Sequence, residues 1–449
     1  MFLLSMSLFF YLYSGVQPFI LLLFSILLNY LCGLFTHKIK NLHGKKICTV
    51  IGVCANVGIL FIFKYLNSFA FAFLSIWSDT QVEWKDIVLP IGISFYTFQG
   101  ISYLVDVYRG EKKGEPICQK NLFHLALYIS MFPQLVAGPI VRYTDISNEI
   151  QTRNHSWQQT ESGLQRFVIG LGKKVLIADI LGETANSIMY EGFGMIGAGT
   201  AWLGTLCYSL QILYDFSGYS DMAIGMGKIL GFRFPENFNY PYISKSIREF
   251  WRRWHMSLSS WFRDYLYIPL GGSRRGNVYL NLAIVFLVTG AWHGSQWCFL
   301  FWGAWHGLFI LIERYLENHK SEKHRNSVIG KYLKSVVSWV YTILVVMLGW
   351  ILFSLSDLGK TIEYVGVMFG IVKYDYVAYD ISYFITSRLL LVIGVACILC
   401  VPHHRFMEKA AARVKCFDIG KDIGALLLLV ICLIKVVNAQ YSPFIYFRF

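Results

Sequence analysis

The chain alternates between long apolar runs and short polar segments. The runs at 18–35 and 47–77 are long enough to cross a lipid bilayer as helices. Further apolar segments follow along the chain, several of them short or interrupted, at 87–104, 122–140, 168–189, 196–213, 222–230, 278–289, 297–312, 335–353, 389–401 and 423–436. The pattern predicts an all-α, polytopic membrane protein with roughly ten or eleven membrane helices.

The composition excludes other classes of protein. Of the 449 residues, 55% are hydrophobic and only 15% are charged, against about 25% charged in an average soluble domain. So much apolar content excludes a disordered chain and argues against a soluble globular one. No internal repeat is visible, so the repeat signature of many transporters is missing.

The basic residues predict which segments face the cytoplasm. The net charge of +13 is concentrated in short clusters at 37–46, 106–120, 313–334 and 403–415. Such clusters beside membrane spans mark the cytoplasmic side, and they leave no extended basic face that would bind nucleic acid. The alternation predicts that the C-terminal tail, 437–449, is external.

The segment 237–311 differs from the rest of the chain. Its first part is too charged to span and mixes cationic with tryptophan side chains, which suits helices at the membrane interface. As a group, the cations would hold an anionic ligand such as the phosphates of coenzyme A. The alternative for each single cation is that its side chain snorkels to the membrane surface. The residues are Lys245, Arg248, Arg252, Arg253 and Arg263, with Trp251, Trp254 and Trp261.

Three histidines in this segment are candidates for chemistry. His293 and His306 lie in an almost purely apolar stretch, and His255 lies at the edge of the charged part. An ionisable side chain at membrane depth is costly and therefore suggests function. The alternative is a structural hydrogen bond between helices, which we favour for His306 but not for His293.

Long motifs in and around this segment carry a resemblance to a known family. REFWRRWHMSLSSWFRDYLYIPLGG is followed by TGAWHGSQWCFLFWGAWHG, and further matches are LPIGISFYTFQGISYLVDVYRG, FPQLVAGPIVRY, LYDFSGYSDMAIGMGKILGFRFPENFNYPY and SPFIYFRF. Together they resemble the membrane-bound O-acyltransferase (MBOAT) superfamily, in the bacterial branch typified by the alginate O-acetylation protein. The similarity covers nearly the whole chain.

The resemblance implies a fold and a reaction. It implies one integral-membrane domain over 1–449, with interfacial or re-entrant helices around a central tunnel that joins the two faces of the membrane. His293 matches the family's invariant histidine and His255 a second functional one. The implied reaction moves an acetyl group from cytoplasmic acetyl-CoA towards an extracytoplasmic polysaccharide, with His293 as general base. No bound cofactor or metal is expected.

The resemblance also implies a partner and a location. The partner is an extracytoplasmic acetyltransferase of the serine-hydrolase-like (SGNH) type, which passes the acetyl group to the final sugar. The location is a bacterial cytoplasmic membrane, with lipid around a multi-pass chain. The candidates for donor binding or for lining the tunnel are Arg248, Arg252, Arg253, Trp254, Asp215, Ser217 and Trp292. For the polar group around Asp215, helix packing is an equally good explanation.

Tyr446 suggests a further step. It lies in the aromatic tail FIYFRF, which could insert back into the protein and present its phenol as an intermediate acyl acceptor. The alternative is an aromatic residue that anchors the last helix at the membrane interface.

Other functions explain part of the sequence. A transporter or exporter of a surface glycan would also have membrane histidines and broken helices, and an assembly component would recruit a secreted acetyltransferase without using His293. Within the enzyme class, the donor could carry a D-alanyl or a longer acyl group.

Overall fold

The fold of the described chain is built from helices. The computed structural model describes residues 1–77, 88–319, 328–402, 417–438 and Phe444. Across these residues no β-strand forms, and the parallel bridge between Ile196 and Tyr379 is isolated. The prediction of an all-α protein is confirmed.

The chain divides into two compact units. The first comprises 1–164 and 223–235, and the second comprises 165–222 and 236–449. Whether the chain acts as one domain over 1–449 stays a prediction. The helices of the first unit are α1 (Phe2–Leu12), α2 (Val16–Lys38), α3 (Leu42–Trp77), α4 (Ile93–Lys113), α5 (Leu122–Ser130), α6 (Phe132–Leu135) and α7 (Tyr143–Gln151).

Two helices contain residues of both units, and the remaining helices belong to the second unit. The crossing helices are α8 (Trp157–Gly172) and α10 (Ala198–Ile229). The second unit contains α9 (Asp179–Asn186), α11 (Ile247–Arg253), α12 (Met256–Phe262), α13 (Val278–His293), α14 (Trp297–Asn318), α15 (Val328–Leu355), α16 (Leu358–Met368), α17 (Ile381–Phe384), α18 (Ser387–Leu399) and α19 (Phe417–Asn438). Short π-helical stretches at Lys173–Ala178, Ser187–Glu191 and Arg263–Tyr267 continue neighbouring helices.

Several helices are apolar enough for a membrane. Within the described residues, Val16–Lys38, Leu42–Asn67 and Tyr332–Leu355 have both the length and the hydropathy to span a bilayer. Phe2–Leu12, Val278–His293 and Ser387–Leu399 are apolar but shorter. The chain is therefore a multi-pass membrane protein, while the count of ten or eleven membrane helices stays a prediction.

The sequence predicted an interruption near residue 215 that the structure does not have. The apolar segments 196–213 and 222–230 belong to one continuous helix, α10. Its polar residues stay inside the helix because their side chains have partners: Asp215 pairs with Lys174, and Ser220 accepts a hydrogen bond from Asn237. The expected single segment 122–140 is instead broken into α5 and the short α6.

Close packing of α13 against α14 sets the position of the histidines. The two helices cross at Gly290 and Gly303, where a methyl group on either glycine would collide with a carbonyl oxygen of the other helix. Small residues allow helices in a membrane to approach in this way. The crossing lies one turn before His293 and one turn before His306.

Candidate functional site

His293 is the last residue of α13 and lies in an aromatic environment. Its side chain is buried, with 5% of the residue exposed. The imidazole packs edge-on against Trp302 of α14 and Phe353 of α15, at centroid distances of 4.9 and 5.1 Å. Three helices therefore fix the position of this ring, and a rigid ring is what a general base requires.

His306 lies deeper in the same aromatic cluster. Trp251 and Trp302 pack against its ring at 5.1 and 5.2 Å, and the residue is fully buried. Within the described residues, neither ring nitrogen has a hydrogen-bond partner. The structural hydrogen bond that the sequence favoured for His306 is thus not formed with any residue that the structure describes.

His255 lies between α11 and α12 and belongs to a buried polar network. Its Nδ1 atom lies 2.9 Å from Oδ1 of Asn237. The same oxygen accepts a hydrogen bond from the hydroxyl of Ser257 at 2.9 Å, and the side-chain amide of Asn237 donates to Ser220 at 3.0 Å. His255 also contacts the ring of Phe216 edge-on at 4.7 Å. Three elements of the chain, α10, the loop with Asn237 and α12, therefore position this imidazole.

The aromatic cluster connects the surroundings of the three histidines. Trp302 contacts both His293 and His306, and it stacks with Trp350 at 6.1 Å. Trp350 in turn packs against Trp254, the neighbour of His255, at 4.8 Å. The predicted tunnel candidate Trp254 is buried in this cluster, and Trp292 is buried against His293.

A cavity of about 250 Å³ adjoins this cluster and is rimmed by arginines. Its lining contains Arg248, Arg252, Arg263 and Arg314, and no described carboxylate lines it. Arg248 pairs with Glu317 and Arg263 with Asp264, whereas Arg252 and Arg314 have no ion-pair partner among the residues that the structure describes. An Nη2 nitrogen of Arg248 is also buried without a described hydrogen-bond partner. The guanidinium groups at the rim therefore have N–H donors that can bind an anionic ligand.

The lining of the cavity includes residues that lie close along the chain to two of the histidines. Thr289 lines it and lies one helical turn before His293 on α13. Leu258 and Ser259 also line it and lie one turn after His255. Because residues three or four apart share a helix face, the cavity touches the face of α13 that carries His293, whereas His255 lies just before the first turn of α12. The remaining inner lining is mainly apolar.

Not every predicted donor-binding residue lines this cavity. Arg253 is held by Glu249 at 2.9 Å and by the carbonyl oxygen of Asn239 at 3.1 Å. Its guanidinium therefore has protein partners on α11 and on the loop before it, unlike Arg252. Ser217 lines a different cavity of about 750 Å³, whose charged side chains include Arg166, Lys173 and Asp221.

Asp215 belongs to a buried ionic cluster. Lys174 lies 2.7 Å from Asp215 and 2.7 Å from Asp179, and both Lys174 and Asp215 are almost completely buried. Lys174 lies in the π-helical stretch that follows α8, and such stretches are frequent at functional sites. Its Nζ atom also lies 4.9 Å from the ring centroid of Phe444.

Tyr446 lies outside the described residues. Phe444, two residues earlier, is described, and its ring packs edge-on against Tyr219 at 4.8 Å. This part of the tail therefore contacts α10 and Lys174.

Sequence reasoning missed two residues of the site. Asn237 carries the network around His255, and nothing in the local pattern distinguishes it from an ordinary polar residue. Lys174 neutralises Asp215, and the signal that could have found it is its position as a cation inside the apolar segment 168–189. Among the described residues, no group of three or more His, Cys, Asp or Glu side chains is placed to hold a metal ion.

Comparison with known proteins places the chain in a family. Residues 116–356 match the family described as MBOAT, membrane-bound O-acyltransferase. The chain is 37% identical to the probable alginate O-acetylase AlgI of Pseudomonas putida, over 89% of this chain and 84% of that protein. It is 32% identical to the peptidoglycan O-acetyltransferase of Helicobacter pylori, over 99% of this chain and 90% of that protein.

A more distant relative has a different acyl group in its name. The teichoic acid D-alanyltransferase of Bacillus subtilis is 32% identical over 54% of this chain and 64% of that protein. The matches confirm an enzyme that transfers acyl groups, as the motifs indicated. The chain belongs to the membrane-bound O-acyltransferase family, in its alginate O-acetylase-like branch.

Proposed function

We propose that this O-acyltransferase takes an acetyl group from cytoplasmic acetyl-CoA and passes it through the membrane for O-acetylation of an extracytoplasmic polysaccharide. The observation that carries the proposal is the arginine-rimmed cavity, whose lining includes Thr289, one helical turn from His293, and Leu258 and Ser259, which follow His255 in the chain. A cationic rim followed by a mainly apolar interior suits a ligand with phosphates at one end and an uncharged acyl thioester at the other.

The donor would bind with its phosphates at the rim. Arg252 and Arg314 are available for charge-assisted hydrogen bonds, and Arg248 has an N–H group to spare. Arg314 belongs to the basic cluster 313–334 that the sequence assigns to the cytoplasmic side, and the interfacial segment with Arg248, Arg252 and Arg263 would face the same side, where acetyl-CoA is found. The pantetheine arm would then extend along the apolar lining towards Thr289 and His293.

His293 is the general base in this proposal. It accepts the proton of the acceptor hydroxyl as the hydroxyl oxygen attacks the carbonyl carbon of the thioester. When the tetrahedral intermediate collapses, the carbon–sulfur bond breaks and the proton passes from His293 to the sulfur of CoA. His255 assists by orienting a reactant or by polarising the thioester carbonyl. General base catalysis typically supplies about 10²–10⁴-fold, and holding both substrates in line supplies more.

The identity of the acyl acceptor is inferred from the names of the relatives. Those of Pseudomonas putida and Helicobacter pylori are named for alginate and peptidoglycan, both surface glycans. We propose a surface polysaccharide as the final acceptor here, with an SGNH-type acetyltransferase as the extracytoplasmic partner. The chain would reside in a bacterial cytoplasmic membrane with its C-terminal tail outside. A narrow tunnel lets the acetyl group cross while CoA stays inside.

Tyr446 is proposed as an intermediate acceptor. Phe444 packs against Tyr219 and Lys174, which supports a tail that returns to the protein instead of lying along the membrane interface. The phenol oxygen would take the acetyl group from CoA and release it to the partner. Mass spectrometry of the C-terminal peptide during turnover tests this step. Acetyl-tyrosine at position 446 is expected, and its absence during active transfer would contradict it.

Turnover of purified protein in nanodiscs tests the reaction as a whole. With [¹⁴C]acetyl-CoA, wild type should release CoA and transfer label, and His293→Ala should do neither. His319→Ala is the matched control, because His319 is exposed and bonds only to the carbonyl of Tyr315 among its described partners. Parallel assays with longer acyl-CoA donors and with a D-alanyl thioester identify the donor. Higher turnover with one of these would contradict acetyl-CoA.

A further inference from the structure

The backbone at His255 is strained and is held by one neighbouring residue. His255 has φ of +43°, in the left-handed region that residues with a side chain rarely adopt. The next two N–H groups both donate to Asn237: that of Met256 to the backbone oxygen at 2.9 Å, and that of Ser257 to Oδ1 at 3.3 Å. Such strain persists only where the surroundings enforce it, and it concentrates at functional sites.

The orientation of the Asn237 side chain follows from its partners. The backbone N–H of Ser257 can only donate, so the atom that faces it must be the amide oxygen. The amide nitrogen then points the other way, where it donates to the hydroxyl of Ser220 at 3.0 Å. Asn237 is itself buried. Its oxygen therefore has one stable direction, which is towards Nδ1 of His255 at 2.9 Å.

This orientation determines which nitrogen of His255 carries the proton. An amide oxygen has no hydrogen to give, so the bond to Nδ1 requires a proton on Nδ1. A neutral imidazole then has its lone pair on Nε2. In this form Nε2 accepts a hydrogen bond and does not donate one, so a neutral His255 does not polarise a carbonyl oxygen through that atom.

We propose that Asn237 is a positioning residue that locks His255 in the Nδ1–H tautomer, so that Nε2 of His255 orients a reactant by accepting a hydrogen bond and does not polarise the thioester carbonyl. The inference deepens the proposed function, since it chooses between the two roles given to His255 there. Because the attacking hydroxyl has a single proton and that proton passes to His293, the hydrogen bond accepted at Nε2 of His255 comes from another N–H or O–H group of the bound reactants.

Solid-state ¹⁵N NMR of [¹⁵N]histidine-labelled protein in lipid bilayers reads the tautomer without needing turnover. The difference between wild type and His255→Gln isolates the signals of His255 from those of the other histidines. We expect a protonated Nδ1 and an unprotonated Nε2 at neutral pH. An Nε2–H tautomer, or a ring protonated on both nitrogens, would overturn the inference.

Variants at position 237 test the positioning role. Asn237→Leu removes the acceptor oxygen at similar volume, and we expect loss of the Nδ1–H signature and at least a tenfold fall in turnover. Asn237→Asp keeps an oxygen towards Nδ1 and should recover most of the turnover lost in Asn237→Leu. Ser220→Ala removes only the partner of the amide nitrogen and should keep the Nδ1–H signature.

Two outcomes separate this inference from the proposed function. If Asn237→Leu keeps both the signature and wild-type turnover, Asn237 does not position His255 and the inference fails. If the Nδ1–H tautomer depends on Asn237 as expected but His255→Gln turns over acetyl-CoA like wild type, the role of His255 in the proposed reaction fails while the tautomer assignment stands. Should Asn237→Leu not fold, the wild-type spectrum still decides the tautomer.

Discussion

The imidazole of His293 and the indole of Trp302 pack edge to face, with their ring planes 85° apart and their centroids 4.9 Å apart. This contact joins the end of α13 to the second turn of α14. Trp302 also packs against His306 at 5.2 Å. One tryptophan thus positions the histidine that we propose as the general base and packs against a second histidine with no described hydrogen bond.

Replacement of Trp302 should lower stability and activity together. Trp302→Ala leaves a cavity among five aromatic contacts and should cost about 3–5 kcal/mol in the free energy of unfolding. Trp302→Phe keeps an aromatic ring beside His293 and should cost less. Thermal unfolding and acetyl-CoA turnover, measured on the same preparations, check this. Equal losses in the two variants would mean that the edge-on contact does not position His293.

Loss of the unpaired arginines should weaken donor binding. A hydrogen bond to a charged group contributes about 1.5–3 kcal/mol, and each 1.4 kcal/mol is about tenfold in affinity. Arg252→Gln and Arg314→Gln should therefore each raise KM for acetyl-CoA by about ten- to a hundredfold while kcat changes little. Steady-state kinetics in nanodiscs measure both constants.

Arg253→Gln is the matched control for the arginine rim. Arg253 lies next to Arg252 in the chain but pairs with Glu249 and does not line the cavity. Its KM for acetyl-CoA should remain near that of wild type. If Arg253→Gln raises KM as much as Arg252→Gln, the effect comes from general surface charge and the cavity is not the phosphate site.

Replacement of Lys174 should lower the stability of the fold, because it leaves the buried carboxylate of Asp215 without a counter-charge. Lys174→Met leaves Asp215 buried without its cation, and breaking a buried ion pair on one side costs about 3–5 kcal/mol. The double variant Lys174→Met/Asp215→Asn removes both charges and should recover part of the loss in thermal unfolding temperature. No recovery in the double variant would show that the stability comes from packing of the lysine or from its pair with Asp179, and not from the pair with Asp215.

The fold and the general location of the site were predictable because both depend on strong patterns. Apolar runs identify membrane helices, and the histidines are conspicuous in apolar surroundings. The motif around His293 placed the chain in its family, and the comparisons confirmed that placement.

Other features depend on contacts between distant residues, which no local pattern displays. Asn237 reaches His255 across 18 residues of sequence. Lys174 keeps Asp215 inside a continuous helix where the sequence had predicted an interruption. Arg252 and Arg253 are adjacent in the chain and identical in type, so the sequence cannot distinguish them. They differ because Arg252 lines the cavity whereas Arg253 pairs with Glu249.

The O-acetyl content of the surface polysaccharide tests the central claim most directly. Cells that lack the native chain would express wild type, His293→Ala or His319→Ala at equal membrane levels, and acetate released from purified polysaccharide by mild base would be quantified. We predict full O-acetylation with wild type and His319→Ala, and at least a hundredfold less with His293→Ala, because loss of a general base removes about 10²–10⁴-fold of the rate. Unchanged O-acetylation with His293→Ala would contradict the assignment of His293 as the catalytic base.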